Sequence, residues 1–226
     1  MIRLAIDGKK VKVEPGRTLL EAARENGIHI PTLCYHEALK PFGGCRMCVV
    51  EVSTPRGPRV VAACTHPAEE NAEVVTDSDN VLKLRRTAAQ LLLARAGDVP
   101  YIRQLADSVG VSSTPFTLSS DACVLCARCV RACREIVGVG AISMAHRGSE
   151  RTVSSPFRIS SADCIECATC VFVCPTGAIT LSDITDRDRT VHQWSSEFVR
   201  GSCRLCEYHA DEWLEAKEKE LPVHVN

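Results

Sequence analysis

The sequence predicts an α+β protein: a strand-rich unit over residues 1–77, a short helical spacer over 78–115, a second ordered unit over 116–185 and a tail over 186–226. Three observations carry this. Residues 2–6 and 11–13 alternate apolar and polar around Asp7-Gly8, and a helix signal follows at once. One cysteine run occurs twice, as Cys123-x-x-Cys126-x-x-Cys129-x-x-x-Cys133 and as Cys164-x-x-Cys167-x-x-Cys170-x-x-x-Cys174, the second closed by Pro175. Cysteine numbers 14 in 226 residues while aromatics reach only 4%, so much of the order should come from bound metal rather than from a large aromatic core.

In chain order, Asp7-Gly8 is a hairpin turn signal. Thr18 and Glu21 form a capping box, each side chain satisfying a free N–H of the first helical turn. The helix should run to about Asn26 and stop at Gly27. A hairpin, a helix and then cysteine-bearing loops is the order of a β-grasp ferredoxin. Cys34, Cys45, Cys48 and Cys64 follow as C-x10-C-x2-C-x15-C, with strand-like residues 49–52 and 59–62 between them. Gly43 and Gly44 precede Cys45, where backbone must come close to a cluster. A four-cysteine zinc site is the alternative for this set. His36 and His66 each lie two residues after one of these cysteines; four thiolates suffice, so both read as loop residues.

Residues 78–96 read as a helix capped by Ser78 or Asp79, with Val81, Leu82, Leu84, Ala88, Leu91 and Leu92 along one side and Gly97 after the last turn. A second short helix should start at Pro100 and end near Gly110, before a Ser/Thr/Pro-rich linker.

The repeated run is the bacterial two-cluster ferredoxin pattern. A 4Fe–4S cubane needs a thiolate at each of four irons. Cysteines three apart on a tight loop reach three corners, and the fourth must come from elsewhere. In such ferredoxins the last Cys of each run ligates the other cluster. Cys123, Cys126, Cys129 and Cys174 should therefore hold one cubane, and Cys164, Cys167, Cys170 and Cys133 the other. Zinc favours separated CxxC pairs, and a disulfide framework needs an oxidising compartment. Residues 141–147 and 157–160 can pair as a hairpin, and 178–181 can add a strand. Gly138-Val-Gly140 lacks the third glycine and the preceding strand of a dinucleotide loop. Arg128, Arg131 and Arg134 could favour a reduced, more negative cluster or could form a solvated helix face.

Cys203 and Cys206 remain as a CxxC pair. They read as two free thiols, as a further metal site completed by His209 or by a partner chain, or as a redox disulfide. Residues 210–221 read as a charged docking helix with Trp213 and Leu214 on one side.

The stretch PTLCYHEALKPFGGCRMCVVEV resembles the 2Fe–2S domain of the large iron–sulfur subunit of respiratory complex I and of NAD-linked and iron-only hydrogenases. Residues 134–142 are similar to the same family, and the resemblance covers residues 1 to about 185. It is strongest to the small iron–sulfur diaphorase subunit of NAD-linked hydrogenases. It implies one 2Fe–2S cluster on Cys34, Cys45, Cys48 and Cys64. It also implies a cluster on one His and three Cys in the spacer, but no Cys lies between Cys64 and Cys123 and His66 is the only His there. That cluster is expected to be missing. Complex I and molybdenum formate dehydrogenases are similar through a Trp-bearing stretch and a CxxCxxxC entry into a catalytic-type domain. Here Trp194 precedes the pair, but Ala210 stands where the third Cys would be, and the chain is expected to keep the electron wiring alone.

A formal net charge of -1 implies no nucleic-acid or membrane-surface attraction. No apolar run approaches the roughly 18 residues of a membrane span, and no signal-peptide core opens the chain, so a cytoplasmic setting is expected. Parts for holding electrons are present without a flavin fingerprint or an acid–base set. The expected function is an electron-transfer subunit between a flavoprotein that reacts with NAD(P)H and a catalytic partner such as a hydrogenase or formate dehydrogenase. A free-standing ferredoxin shuttle and a structural zinc module are the alternatives.

Overall fold

The computed structural model describes residues 1–118, 121–155 and 163–181. The described chain divides into two compact units. The first comprises Met1–Tyr35 and Pro41–Cys126; the second comprises His36–Lys40 and the chain from Ala127 onward.

The first unit opens with β1 (Ile2–Ile6) and β2 (Lys9–Val13), paired from Ile2↔Val13 to Ile6↔Lys9. Asp7 and Gly8 both take positive φ, 50° and 75°, so the two-residue turn twists with the strands it joins. Helix α1 (Leu19–Glu25) begins on the expected capping box: the Thr18 hydroxyl accepts from Glu21 N–H, and the Glu21 carboxylate accepts from Thr18 N–H at 2.7 Å. β3 (Val49–Val52) and β4 (Arg59–Ala62) form the second hairpin. A fifth strand, β5 (Glu73–Val75), closes the sheet in the order β2-β1-β5-β3-β4, parallel to β1 and antiparallel to β3. Leu19, Leu20, Ala22 and Ala23 of α1 pack on Leu4, Ile6, Val13, Val50 and Val74 of the sheet, all buried. One helix laid across a mixed five-stranded sheet is the β-grasp arrangement that the opening order predicts.

Helix α2 (Asp79–Ala96) is capped by Ser78, whose hydroxyl accepts from Val81 N–H, and α3 (Pro100–Asp107) starts on its proline. The buried face of α2 differs from the expected one. Val81, Arg85, Ala89 and Ala96 turn inward, whereas Leu84 and Leu91 are 45% and 46% exposed. Apolar residues therefore fall on both sides of the stripe, and an arginine stands within it. Ala89, Ala96, Ile102 and Ala106 form a second core with Leu33 and Met47, residues of the loops that carry Cys34, Cys45 and Cys48. The helices thus pack on the cysteine loops instead of only separating two domains.

The second unit contains α4 (Arg128–Glu135), β6 (Ser143–Ala145), β7 (Thr152–Ser154) and α5 (Thr169–Phe172). Its small core joins Leu39, Cys129, Ala132 and Val173. The excursion His36–Lys40 is tied to α4 at two points: Lys40 N–H donates to the Glu135 carboxylate at 2.9 Å, and Arg131 Nη1 donates to the Lys40 carbonyl at 2.6 Å. The hairpin differs from the expected one: β6 pairs with β7, Ser143↔Ser154, because His146 and Gly148 at positive φ turn the chain back early. Residues 157–160 lie outside the described residues, and 178–181 form bends and irregular chain rather than a strand.

The units are cut differently from the boundaries drawn on the sequence. Arg95 of α2 pairs with Asp121 at 3.1 Å and donates to the Cys123 carbonyl at 2.7 Å, which draws the start of the repeated run into the first unit.

Candidate metal centres

In the first unit Cys48 and Cys64 sit at the adjoining ends of β3 and β4, and Cys34 and Cys45 on the loops before them. Cys48 immediately precedes β3 and Cys64 follows β4 with Ala63 between; Ala63 N–H donates to the Cys48 carbonyl at 3.0 Å and continues the ladder between them. Cys34, Cys48 and Cys64 are buried and Cys45 is half-buried. Gly43 has φ +67°, and a Cβ there would meet Thr65 Cγ2 at 3.1 Å; a Cβ on Gly44 would strike the Phe42 ring. A side chain at Gly43 would be strained by the left-handed backbone, and one at Gly44 would force the Phe42 ring to move.

The four sulfurs act on one another electrostatically. Cys34 N–H donates to Cys45 Sγ at 3.5 Å. The Cys45 thiol is pushed up by its hydrogen bond with Cys34 and then by burial; Cys48 is pushed up by its hydrogen bond with Cys64 and then by burial. Cys64, receiving the Cys48 bond, is pushed down. Backbone N–H groups of Met47 and Gly43 reach Cys45 and Cys64. Four thiols this close, three of them buried, resist ionising together, and a cationic iron core is the partner that lets all four do so. The donor set therefore fits a thiolate-bound cluster. His36 Nδ1 accepts from Ala38 N–H at 3.2 Å and His66 Nδ1 faces the Pro67 carbonyl at 2.9 Å, so these ring nitrogens serve the loops.

Of the repeated runs, Cys123 and Cys126 fall in the first unit, and Cys129, Cys133, Cys164, Cys167, Cys170 and Cys174 in the second. Within the second unit one cavity is lined by Cys133, Cys164, Cys167 and Cys170, together with Val137, Val139, Ala141, Ile142 and Ile165. α4 carries Cys129 and Cys133 four residues apart on one face. Cys129 enters the small core with Val173, and Cys133 faces the cavity and accepts from Ala141 N–H at 3.3 Å. The Cys170 thiol is pushed up to about 12 by burial and by the neighbouring Cys167, Cys133 and Cys164. Cys174 Sγ lies 3.6 Å from Thr176 Oγ1. Cys203 and Cys206 lie outside the described residues.

One feature of both runs is absent from the sequence reading. Leu125 and Ala127 flank Cys126 at φ 56° and 61°, and Glu166 and Ala168 flank Cys167 at 58° and 55°. None is glycine. Alternating left- and right-handed residues turn successive N–H groups to one side, which suits an anion such as a cluster with four thiolates. The only signal in the sequence was the repeat itself. The arginines divide: Arg128 and Arg131 are buried, and only Arg134 lies on a solvated face.

Residues 1–79 match the family model of the 2Fe-2S iron-sulfur cluster binding domain, and residues 122–178 match that of the 4Fe-4S dicluster domain. The chain joins one domain of each of these two iron–sulfur families. It is 30% identical over 241 residues to the NADPH-Fe(3+) oxidoreductase subunit alpha of Geobacter sulfurreducens, across 93% of this chain and 28% of that relative. It is 27% identical to the NADH-ubiquinone oxidoreductase 75 kDa subunit of Reclinomonas americana, across 97% of this chain and 38% of that one. The chain thus spans well under half the length of these curated relatives. A chain of a solved NAD+-reducing [NiFe]-hydrogenase, in the H2-reduced state, superposes with a TM-score of 0.68 at 28% identity, over 78% of this chain and 86% of the other. The resemblance drawn from the cysteine loops holds across these matches. No described helix is long and apolar enough to cross a membrane.

Proposed function

We propose that this protein relays single electrons as a subunit of a larger oxidoreductase. The observation that supports this most is the cavity gathering Cys133 with Cys164, Cys167 and Cys170, three ligands of one run and the last of the other. These four are assigned to one 4Fe–4S cluster, and Cys34, Cys45, Cys48 and Cys64 to a 2Fe–2S cluster. Cys123, Cys126, Cys129 and Cys174 are assigned to a second 4Fe–4S cluster on the repeat alone. When bound, such clusters supply one-electron redox chemistry. The chain's residues hold the iron through thiolates and direct N–H groups at sulfur. Val137, Val139 and Ile142 line the cavity of Cys133, Cys164, Cys167 and Cys170 with apolar surface that limits water.

Hydride chemistry is assigned to a flavin on a partner that reacts with NAD(P)H, and the terminal reaction to a catalytic partner such as a hydrogenase or formate dehydrogenase. The relatives support a subunit role: two are named as subunits of oxidoreductases linked to NADPH or NADH, and the similar solved structure is of an NAD+-reducing [NiFe]-hydrogenase. Anaerobic purification from the native host followed by native mass spectrometry tests this reading. Co-elution with a flavoprotein and a catalytic chain is expected. A lone monomer would favour a ferredoxin shuttle instead. The chain should carry about ten irons with equal sulfide; zinc without iron would sink the reading. A further metal at Cys203 and Cys206, shared with a partner, belongs to the same proposal. It fails if the Cys203→Ser/Cys206→Ser complex keeps the wild-type metal content.

A further inference from the structure

Helix α2 carries an arginine in its buried stripe. Arg85 is 5% exposed and stands between Val81 and Ala89 on the inward face. Its Nη2 donates to the Val49 carbonyl at 2.7 Å, and Val49 is the residue after Cys48. Its buried Nε has no hydrogen-bond partner among the described residues. A guanidinium stays charged in any protein environment, so the fold holds a cation in a place where it needs a counter-charge.

No carboxylate pairs directly with Arg85 among the described residues. Asp7 exerts a favourable field, but its oxygens accept the Thr76 N–H and hydroxyl at 2.7 Å each. Asp77 adds a weaker one. Among the charged groups acting on Arg85, the strongest favourable influence is the sulfur of Cys48. That cysteine is itself 1% exposed, so water screens the pair little.

We propose that Arg85 is the buried counter-charge of the centre held by Cys34, Cys45, Cys48 and Cys64, and that it sets the reduction potential of that centre. This rests on the cluster assignment above. A 2Fe–2S core with four thiolates is anionic when oxidised and gains one further negative charge when reduced. A fixed cation beside Cys48 stabilises the reduced state more than the oxidised one and raises the potential. The helix that bears Arg85 is thereby part of the redox site. Arg85 is a positioning and tuning residue: it touches the backbone beside a ligand and acts through charge.

The test is a potentiometric titration of the full iron-loaded chain, followed by electron paramagnetic resonance, on wild type, Arg85→Met and Arg85→Lys. The 2Fe–2S midpoint should move to more negative potential in R85M and stay near wild type in R85K. The 4Fe–4S midpoints should not move in either. An unchanged 2Fe–2S midpoint in fully loaded R85M would overturn the proposal, as would an equal shift in R85K, since a lost packing contact would then suffice. If R85M loses its 2Fe–2S signal, R85K decides. Retention of the signal near the wild-type potential supports a charge requirement, and loss or a shift of the signal overturns it. A wild-type chain showing 4Fe–4S signals alone would overturn the cluster assignment itself, which separates the two failures.

Discussion

Leu125, Ala127, Glu166 and Ala168 hold a backbone conformation that costs an L-residue about 1–2 kcal/mol. The conformation recurs at the same places in both runs, on either side of the middle Cys of each CxxCxxC loop. Replacing Ala168 by Val adds a β-branch there. Thermal unfolding of the iron-loaded chain should show Ala168→Gly at least as stable as wild type and Ala168→Val less stable. Equal stability in the two variants would mean that the conformation is relaxed. The ligands make a sharper residue-scale case. Cys48→Ala should abolish the 2Fe–2S resonance and leave the 4Fe–4S signals; loss of every signal together would show one cooperative metal core. The cysteines were legible because ligand spacing is a local pattern that the chain writes in full. The left-handed positions were not, since nothing in Leu, Ala or Glu favours positive φ. Arg85 is hidden for a related reason: Leu84 and Leu91 pull the apparent apolar stripe to their side of α2, yet both face water.

Among the elements, α1 shows how a small local signal places a distant ligand. Its capping box was plain in Thr18 and Glu21. Its second role was not: Leu19 N–H donates to the His66 carbonyl at 2.9 Å and Leu20 N–H to the Ala63 carbonyl at 3.0 Å, so the helix start grips the loop around Cys64. Thr18→Ala should cost about 1 kcal/mol. It should also speed loss of the 2Fe–2S cluster to a chelator, with the 4Fe–4S clusters unaffected. Visible absorbance and resonance decay together measure this, and equal decay of all clusters would contradict it. Strand β5 escaped notice because three residues give no periodicity. Its place is fixed from outside, by β1, by β3 and by the Asp7 carboxylate on Thr76. The β6–β7 hairpin differs in another way: its first strand, Ser143–Ala145, falls within the expected 141–147, but the turn at His146 and Gly148 is not apparent in a run of polar residues.

At the scale of the molecule, the repeat and the opening hairpin were enough to read two kinds of cluster domain, because each is a pattern contained in one stretch of chain. The division into units was harder to read, since it depends on contacts far apart in sequence. Five residues, His36–Lys40, belong to the second unit although they follow Cys34 almost directly. A fragment starting at residue 116 would lack the buried Leu39 side chain and both Lys40 hydrogen bonds to α4. Burial of one leucine is worth about 2 kcal/mol, so the fragment should lose its 4Fe–4S clusters to chelator faster than the full chain does. Equal rates would show that the excursion contributes nothing. The same five residues bear on the order in which the protein is made. Lys40 leaves the ribosome 95 residues ahead of Glu135, the side chain that will hold its amide. Throughout that interval the segment His36–Lys40 is without its hydrogen-bond partners, so this corner of the second unit closes only after α4 has been translated.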